Sequence, residues 1–146
     1  MSFHYLRSMP TPEEIRTQLP LNNRLSEIKE KRDKIINRIL TGEDDRFLVI
    51  IGPCSADNED AVLEYISRLA PIADRVSHRL MIVPRIYTNK PRTTGEGYKG
   101  IASQPDPTQE PDMLEGLLAM RRMHIRAIAD SELTCADEML YPEKWG

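Results

Sequence analysis

No apolar run in the chain is long enough to cross a membrane, and its opening "MSFHYLRSMPTPEE" lacks the apolar core of a signal peptide. A cytoplasmic location is therefore expected. An excess of positive charge is missing too. The net charge is -3 and the basic residues interleave with acidic ones, which excludes a broad footprint for nucleic acid or an anionic membrane. Any anion site must be local. Cysteine is scarce: Cys54 and Cys135 form no CxxC pair and lie far apart in sequence, which in a reducing compartment argues for two free thiols. The three histidines are scattered. His124 lies among Arg121, Arg122 and Arg126 in a helical stretch, and His4, His78 and His124 all read as surface or packing residues rather than ligands. Internal repeats and low-complexity tracts are absent. What remains is ordinary globular composition, 146 residues with 40% hydrophobic and 29% charged, enough for one core.

Residues 1–42 read as an N-terminal arm and helix, and 43–146 as one α/β unit. "TPEE" at 11–14 is a helix start, with Thr11 as cap, Pro12 in the first turn and Glu14 completing a capping box. From Asn23 to Leu40, apolar residues such as Leu25, Ile28, Ile35 and Ile39 recur at helical spacing, and Gly42 follows where a terminating glycine belongs. The period then changes. Phe47 to Ile51 is a continuous apolar run stopped by Gly52-Pro53, as expected of a parallel strand buried on both faces. Asp57 or Asn58 caps a helix carrying Val62, Tyr65, Ile66 and Leu69, with Pro71 ending or bending it. A second strand spans about 80–87, made irregular by Pro84, and a third lies near 133–138 in "LTCADEML". Between them lie a long Pro- and Gly-rich loop, 88 to about 111, and the helix of "PDMLEGLLAMRRMHIRAIADS". A further helix starts at "YPEK". Strands alternating with helices imply βαβ crossovers and an α/β fold.

Ligands of such folds gather at the C-terminal ends of the strands. Cys54 and Ser55 follow the first strand, Arg85, Lys90, Arg92, Thr93 and Thr94 the second, and Asp137 and Glu138 end the third. The stretch "NKPRTTGEGYKG", 89–100, suits phosphate or carboxylate: Arg grips such groups with two hydrogen bonds, Lys adds a point charge, and Thr hydroxyls donate. A solvated basic loop is the other reading. Cys54 is either a thiolate for a metal or electrophile or an inert buried thiol, and Cys135 is structural. Glu138 is a general acid or base, an orienting group or a surface carboxylate, which spacing cannot separate.

Three motifs, "IGPCSADNEDAV", "PRIYTNKPRTTGEGYKG" and "LTCADEMLYPE", occur in this order, and with the arm they resemble 3-deoxy-D-arabino-heptulosonate 7-phosphate synthases of the aromatic-amino-acid-regulated type. The resemblance implies a (β/α)8 TIM barrel, of which this chain holds about three βα units behind a helical N-terminal arm. It implies a transferase of the shikimate pathway that condenses phosphoenolpyruvate with erythrose 4-phosphate with the aid of a divalent metal. By the same resemblance, Cys54 is a metal ligand, Arg85 and Lys90 contact phosphoenolpyruvate, Arg92 and Thr93 hold erythrose 4-phosphate, and Glu138 is an acidic active-site residue. Lys90 and Glu138 are the residues expected to be catalytic. An aromatic amino acid effector and a homo-oligomer, or a complementing second half-barrel, complete the expectation.

Two anionic substrates must be held together against their repulsion, which explains the gathering of cations. The chain departs from the family pattern at Glu132, where glycine is usual and a positive φ would be strained, and at Cys135, where a small alanine is usual. Barrels of this kind need roughly 250 residues, so a truncated, poorly active chain is one expectation. The alternative is a non-catalytic phosphate-binding or interaction module that pairs with a synthase subunit.

Overall fold

A computed structural model describes residues 8–89, 97, 98 and 100–138. Six elements follow in order: α1 (Pro12–Gln18), α2 (Asn23–Leu40), β1 (Phe47–Ile51), α3 (Glu59–Val76), β2 (Leu80–Pro84) and α4 (Met113–Ser131). The fold is α/β. Helix ends are set by local chemistry. Thr11 and Glu14 form the capping box of α1, the Glu14 N–H donating to Thr11 Oγ1 at 3.2 Å and the Thr11 N–H to Glu14 Oε2 at 2.7 Å. Helix α2 starts on Asn22 and stops at Gly42 (φ +77°), where the Glu43 N–H reaches back to Arg38 O at 2.8 Å and the Gly42 N–H to Ile39 O at 3.2 Å.

Pro71 does not end α3, which runs on to Val76. Its ring removes one intrahelical hydrogen bond, but Leu69 and Ala73 on either side of it are buried in the core, so packing carries the helix through.

β1 and β2 pair in parallel from Phe47 opposite Leu80 to Ile51 opposite Pro84. β2 is the buried one. β1 departs from the expectation of burial on both faces: Phe47 is 74% exposed and Ile50 52%. It has a strand on one side only among the described residues, and α2 covers it in part. β2 also stops at Pro84, short of residue 87, and the segment expected as a third strand makes a single parallel bridge between Arg85 and Ala136. Pro84 has no N–H for the rung that would precede this bridge, and beyond the bridge the Thr88 N–H goes to the Asp137 carboxylate instead of a main-chain carbonyl.

The core lies between the sheet and helices α3 and α4, with Ile66, Ile86, Met123 and Ala127 at most 1% exposed. α4 also carries the arm, because Ile15 of α1 packs on Leu117 and Leu118. Gly116 permits a close approach here: a Cβ would lie 2.1 Å from Ala102 O, so the loop backbone presses directly on α4. Among the described residues, no helix is long and apolar enough to cross a membrane.

Candidate functional site at the strand ends

The C-terminal ends of β1, β2 and the third segment come together. Past β1 the chain lies close against β2 at Gly52, where a Cβ would lie 2.4 Å from Arg85 O, turns at Cys54, and meets β2 again through Ala56 N–H donating to Tyr87 O at 2.9 Å. Arg85 staples this turn. Its Nε donates to Pro53 O at 3.1 Å, its Nη2 to Gly52 O at 2.8 Å, and its guanidinium lies 4.6 Å from the centre of the Tyr87 ring. Two of its donor nitrogens are thus used to shape the site, and Nη1 has no partner among the described residues.

Cys54 is exposed on the turn that Arg85 holds. Cys135 is the opposite case: burial pushes its thiol up to about 12, which makes it inert, as a packing role requires. Asp137 ties the site across the sheet. Its Oδ1 accepts the Thr88 N–H at 3.0 Å and the Glu138 N–H at 2.7 Å, while Oδ2 accepts the Thr88 hydroxyl. Glu138 is half-buried beside it. The loop after β2 is pinned at both of its described ends, since Thr88 O accepts from Ala102 N–H at 2.9 Å. Burial, then the negative charge of Asp57, raises the Tyr98 phenol above its ordinary value.

Lys90, Arg92 and Thr93, with Thr94, lie outside the described residues, as does the helix expected at "YPEK". Cys54, Arg85 and Glu138 lie within them.

Sequence reasoning missed three features of this end. Thr88 and Asn89 were absorbed into a loop, although both are buried. Asn89 Nδ2 and Ser55 Oγ are buried with no hydrogen-bond partner among the described residues, an exception to the rule that buried polar groups are satisfied. His124, read as a surface or packing residue, is partly buried and faces the site, its Nε2 3.7 Å from Asp137 Oδ2. Helical spacing places a residue on a face but not opposite a strand end, so nothing in the sequence signalled this pair.

His124, Asp137 and Glu138 also border a cavity of about 440 Å³ between α1, α4 and the third segment, with Ile15, Leu117 and Met120 on its apolar side. Among the described residues no three His, Cys, Asp or Glu side chains gather to hold a metal ion. Cys54 is thus a single prospective ligand there, and the described residues do not by themselves make a metal centre.

The model of the DAHP synthetase I family matches residues 20–143. The chain belongs to that family. It is 36% identical over 143 residues to a phospho-2-dehydro-3-deoxyheptonate aldolase of Corynebacterium glutamicum, covering 97% of this chain and 37% of that protein. A phenylalanine-inhibited phospho-2-dehydro-3-deoxyheptonate aldolase of Saccharomyces cerevisiae is 37% identical over 130 residues, 88% of this chain and 34% of its own length. Among solved structures, the phospho-2-dehydro-3-deoxyheptonate aldolase of Francisella tularensis superposes with a TM-score of 0.84 at 29% identity, covering 95% of this chain and 40% of that one. The chain therefore spans well under half the length of the family members it matches. Membership makes the synthase reading the better supported one, and nothing found favours the non-catalytic module.

Proposed function

We propose that this chain provides the opening βα units, within residues 43–146, of a (β/α)8 barrel behind an arm of residues 1–42, and that the barrel acts as a cytoplasmic 3-deoxy-7-phosphoheptulonate synthase. The reaction joins phosphoenolpyruvate to erythrose 4-phosphate, the aldol-type step that opens the shikimate pathway. One observation carries the reading: the "GPCS", "PRIYTN" and "ADE" segments of the matched family converge at the C-terminal ends of parallel strands, tied by Arg85 and Asp137. The orphaned Ser55 Oγ and Asn89 Nδ2 support a polar ligand there.

In this reading Arg85 has two tasks. Nε and Nη2 hold the turn that presents Cys54, and Nη1 is left for the phosphoenolpyruvate anion, with Lys90 as the second cation. Arg92 and Thr93 hold the phosphate of erythrose 4-phosphate, and Glu138 orients or exchanges a proton with the reacting groups. Cys54 contributes one thiolate to a divalent ion, and the other ligands come from beyond the described residues. An aromatic amino acid as effector and assembly into a homo-oligomer, or with a complementing half-barrel, belong to the same reading.

The test is phosphoenolpyruvate loss in the protein that bears this chain, measured with and without erythrose 4-phosphate. Consumption that requires both substrates and collapses in Lys90→Ala and Cys54→Ser is the expected result. Consumption unchanged in both variants would overturn it.

A further inference from the structure

Arg32 sits in the middle of α2, a helix otherwise edged with exposed ion pairs such as Lys29–Asp33 at 2.5 Å. Its own side chain turns inward instead. Nη2 donates to Ile82 O at 2.6 Å and Nε to Thr134 Oγ1 at 3.1 Å. The first acceptor is a main-chain carbonyl in the middle of β2, and such carbonyls ordinarily belong to a neighbouring strand.

The bridge to the third segment shows which neighbour that is. Ala136 N–H donates to Pro84 O at 2.8 Å and Ile86 N–H to Ala136 O at 2.8 Å, whereas Arg85 N–H donates the other way, to Ile51 O at 2.9 Å. Even-numbered groups of β2 thus face the third segment. The next rung of a parallel ladder would lie two residues back, with Thr134 N–H donating to Ile82 O and residue 84 N–H donating to Thr134 O. Residue 84 is a fully buried proline and has no N–H to give. The rung cannot close through the backbone, and Ile82 O is taken by the Arg32 guanidinium, which binds Thr134 at the same time.

We propose that Arg32 is a side-chain rung of this sheet: it replaces the backbone pairing that Pro84 forbids and sets the register of the segment ending in Asp137 and Glu138. Arg is suited to this because its planar fork spans an acceptor on each strand, where a lysine reaches one. Burial lowers the guanidinium pKa as its largest influence, as expected for a charge lodged between two strands. Arg32 touches no site residue directly, so it acts as a positioning residue. Its link to catalysis rests on the function proposed above, whereas the rung itself does not.

The test therefore avoids activity. Amide hydrogen exchange at Ile86 and Ala136, and alkylation of Cys135 with exposed Cys54 as the internal reference, are followed in the wild type, Arg32→Leu, Pro84→Ala and the double variant. Arg32→Leu should speed both readouts by at least about tenfold, the scale of losing hydrogen bonds from a charged group. Pro84→Ala should slow them in the Arg32→Leu background, where a backbone rung becomes free to form, and not in the wild type. Should Arg32→Leu unfold the chain, the unmutated protein still decides by NMR: slowly exchanging Arg32 Nε–H and Nη–H signals support the rung. Guanidinium signals as short-lived as those of exposed Arg68, or a Pro84→Ala effect of equal size in both backgrounds, would overturn it.

Discussion

A single carboxylate, that of Asp137, accepts both the main-chain N–H of Thr88, at 3.0 Å, and its hydroxyl, across 49 residues of sequence. Thr88 is fully buried, so the carboxylate stands in for the water that its N–H does not reach in the intact fold. The same Oδ1 receives the Glu138 N–H at 2.7 Å, which places the candidate catalytic carboxylate one residue from the clasp.

Asp137→Ala is expected to destabilise the fold by about 1–3 kcal/mol, the penalty for stranding a buried donor, with Asp137→Asn losing less because its amide oxygen still accepts. Urea midpoints of the two variants check the order. An alanine variant as stable as the wild type would remove the clasp from the account.

Gly52→Ala meets backbone at 2.4 Å from Arg85 O, which cannot rotate away as a side chain would. A loss of at least about 1–3 kcal/mol is expected from overpacking, together with displacement of the turn that bears Cys54. Gly42→Ala is the comparison: it has open space around it and a φ of +77°, so only about 1–2 kcal/mol of left-handed strain applies. Thermal melts should show both variants weakened, and altered Cys54 alkylation for Gly52→Ala alone.

Glu132 ends α4 in the left-handed region, φ 58°, the conformation expected to be strained at this place where the resembled family usually has glycine. Its compensation is a 2.6 Å ion pair with Arg24 in which both side chains are at least 60% exposed, worth at most about 1 kcal/mol. Relief of about 1–2 kcal/mol of strain outweighs that, so Glu132→Gly should raise the melting temperature. A lower melting temperature would mean that the pair matters more than exposure allows.

Asp44 is held at a pKa of about 2 by its hydrogen bonds and ion pair with Arg46, whose Nη2 lies at 2.7 Å. A carboxyl with a depressed folded-state pKa stabilises the fold above its unfolded value, near 3.8, and that contribution is lost as pH falls from there toward 2. NMR titration should place the Asp44 midpoint near 2, and Arg46→Ala should return it toward 3.8. An unmoved midpoint in Arg46→Ala would assign the shift elsewhere.

Much of this protein was settled along the chain itself. Thr11 with Glu14, Asn22, Gly42 and the apolar period of 23–40 set the bounds of α1 and α2, because caps and helical faces depend on residues within one or two turns. The run 47–51 and the three motifs likewise announced a parallel strand and a family, since short-range order and motif identity survive without tertiary contacts. Pairing across the fold was decided only in three dimensions. Whether β1 is covered depends on which strands flank it, which no apolar run records. Pro71 was overridden by the core on either side of it. The bond from Arg32 to Ile82, the Thr88–Asp137 clasp and the approach of His124 join groups 50, 49 and 13 residues apart. Each depends on where packing leaves an unpaired donor or acceptor, a quantity that exists only once the backbone has closed around it.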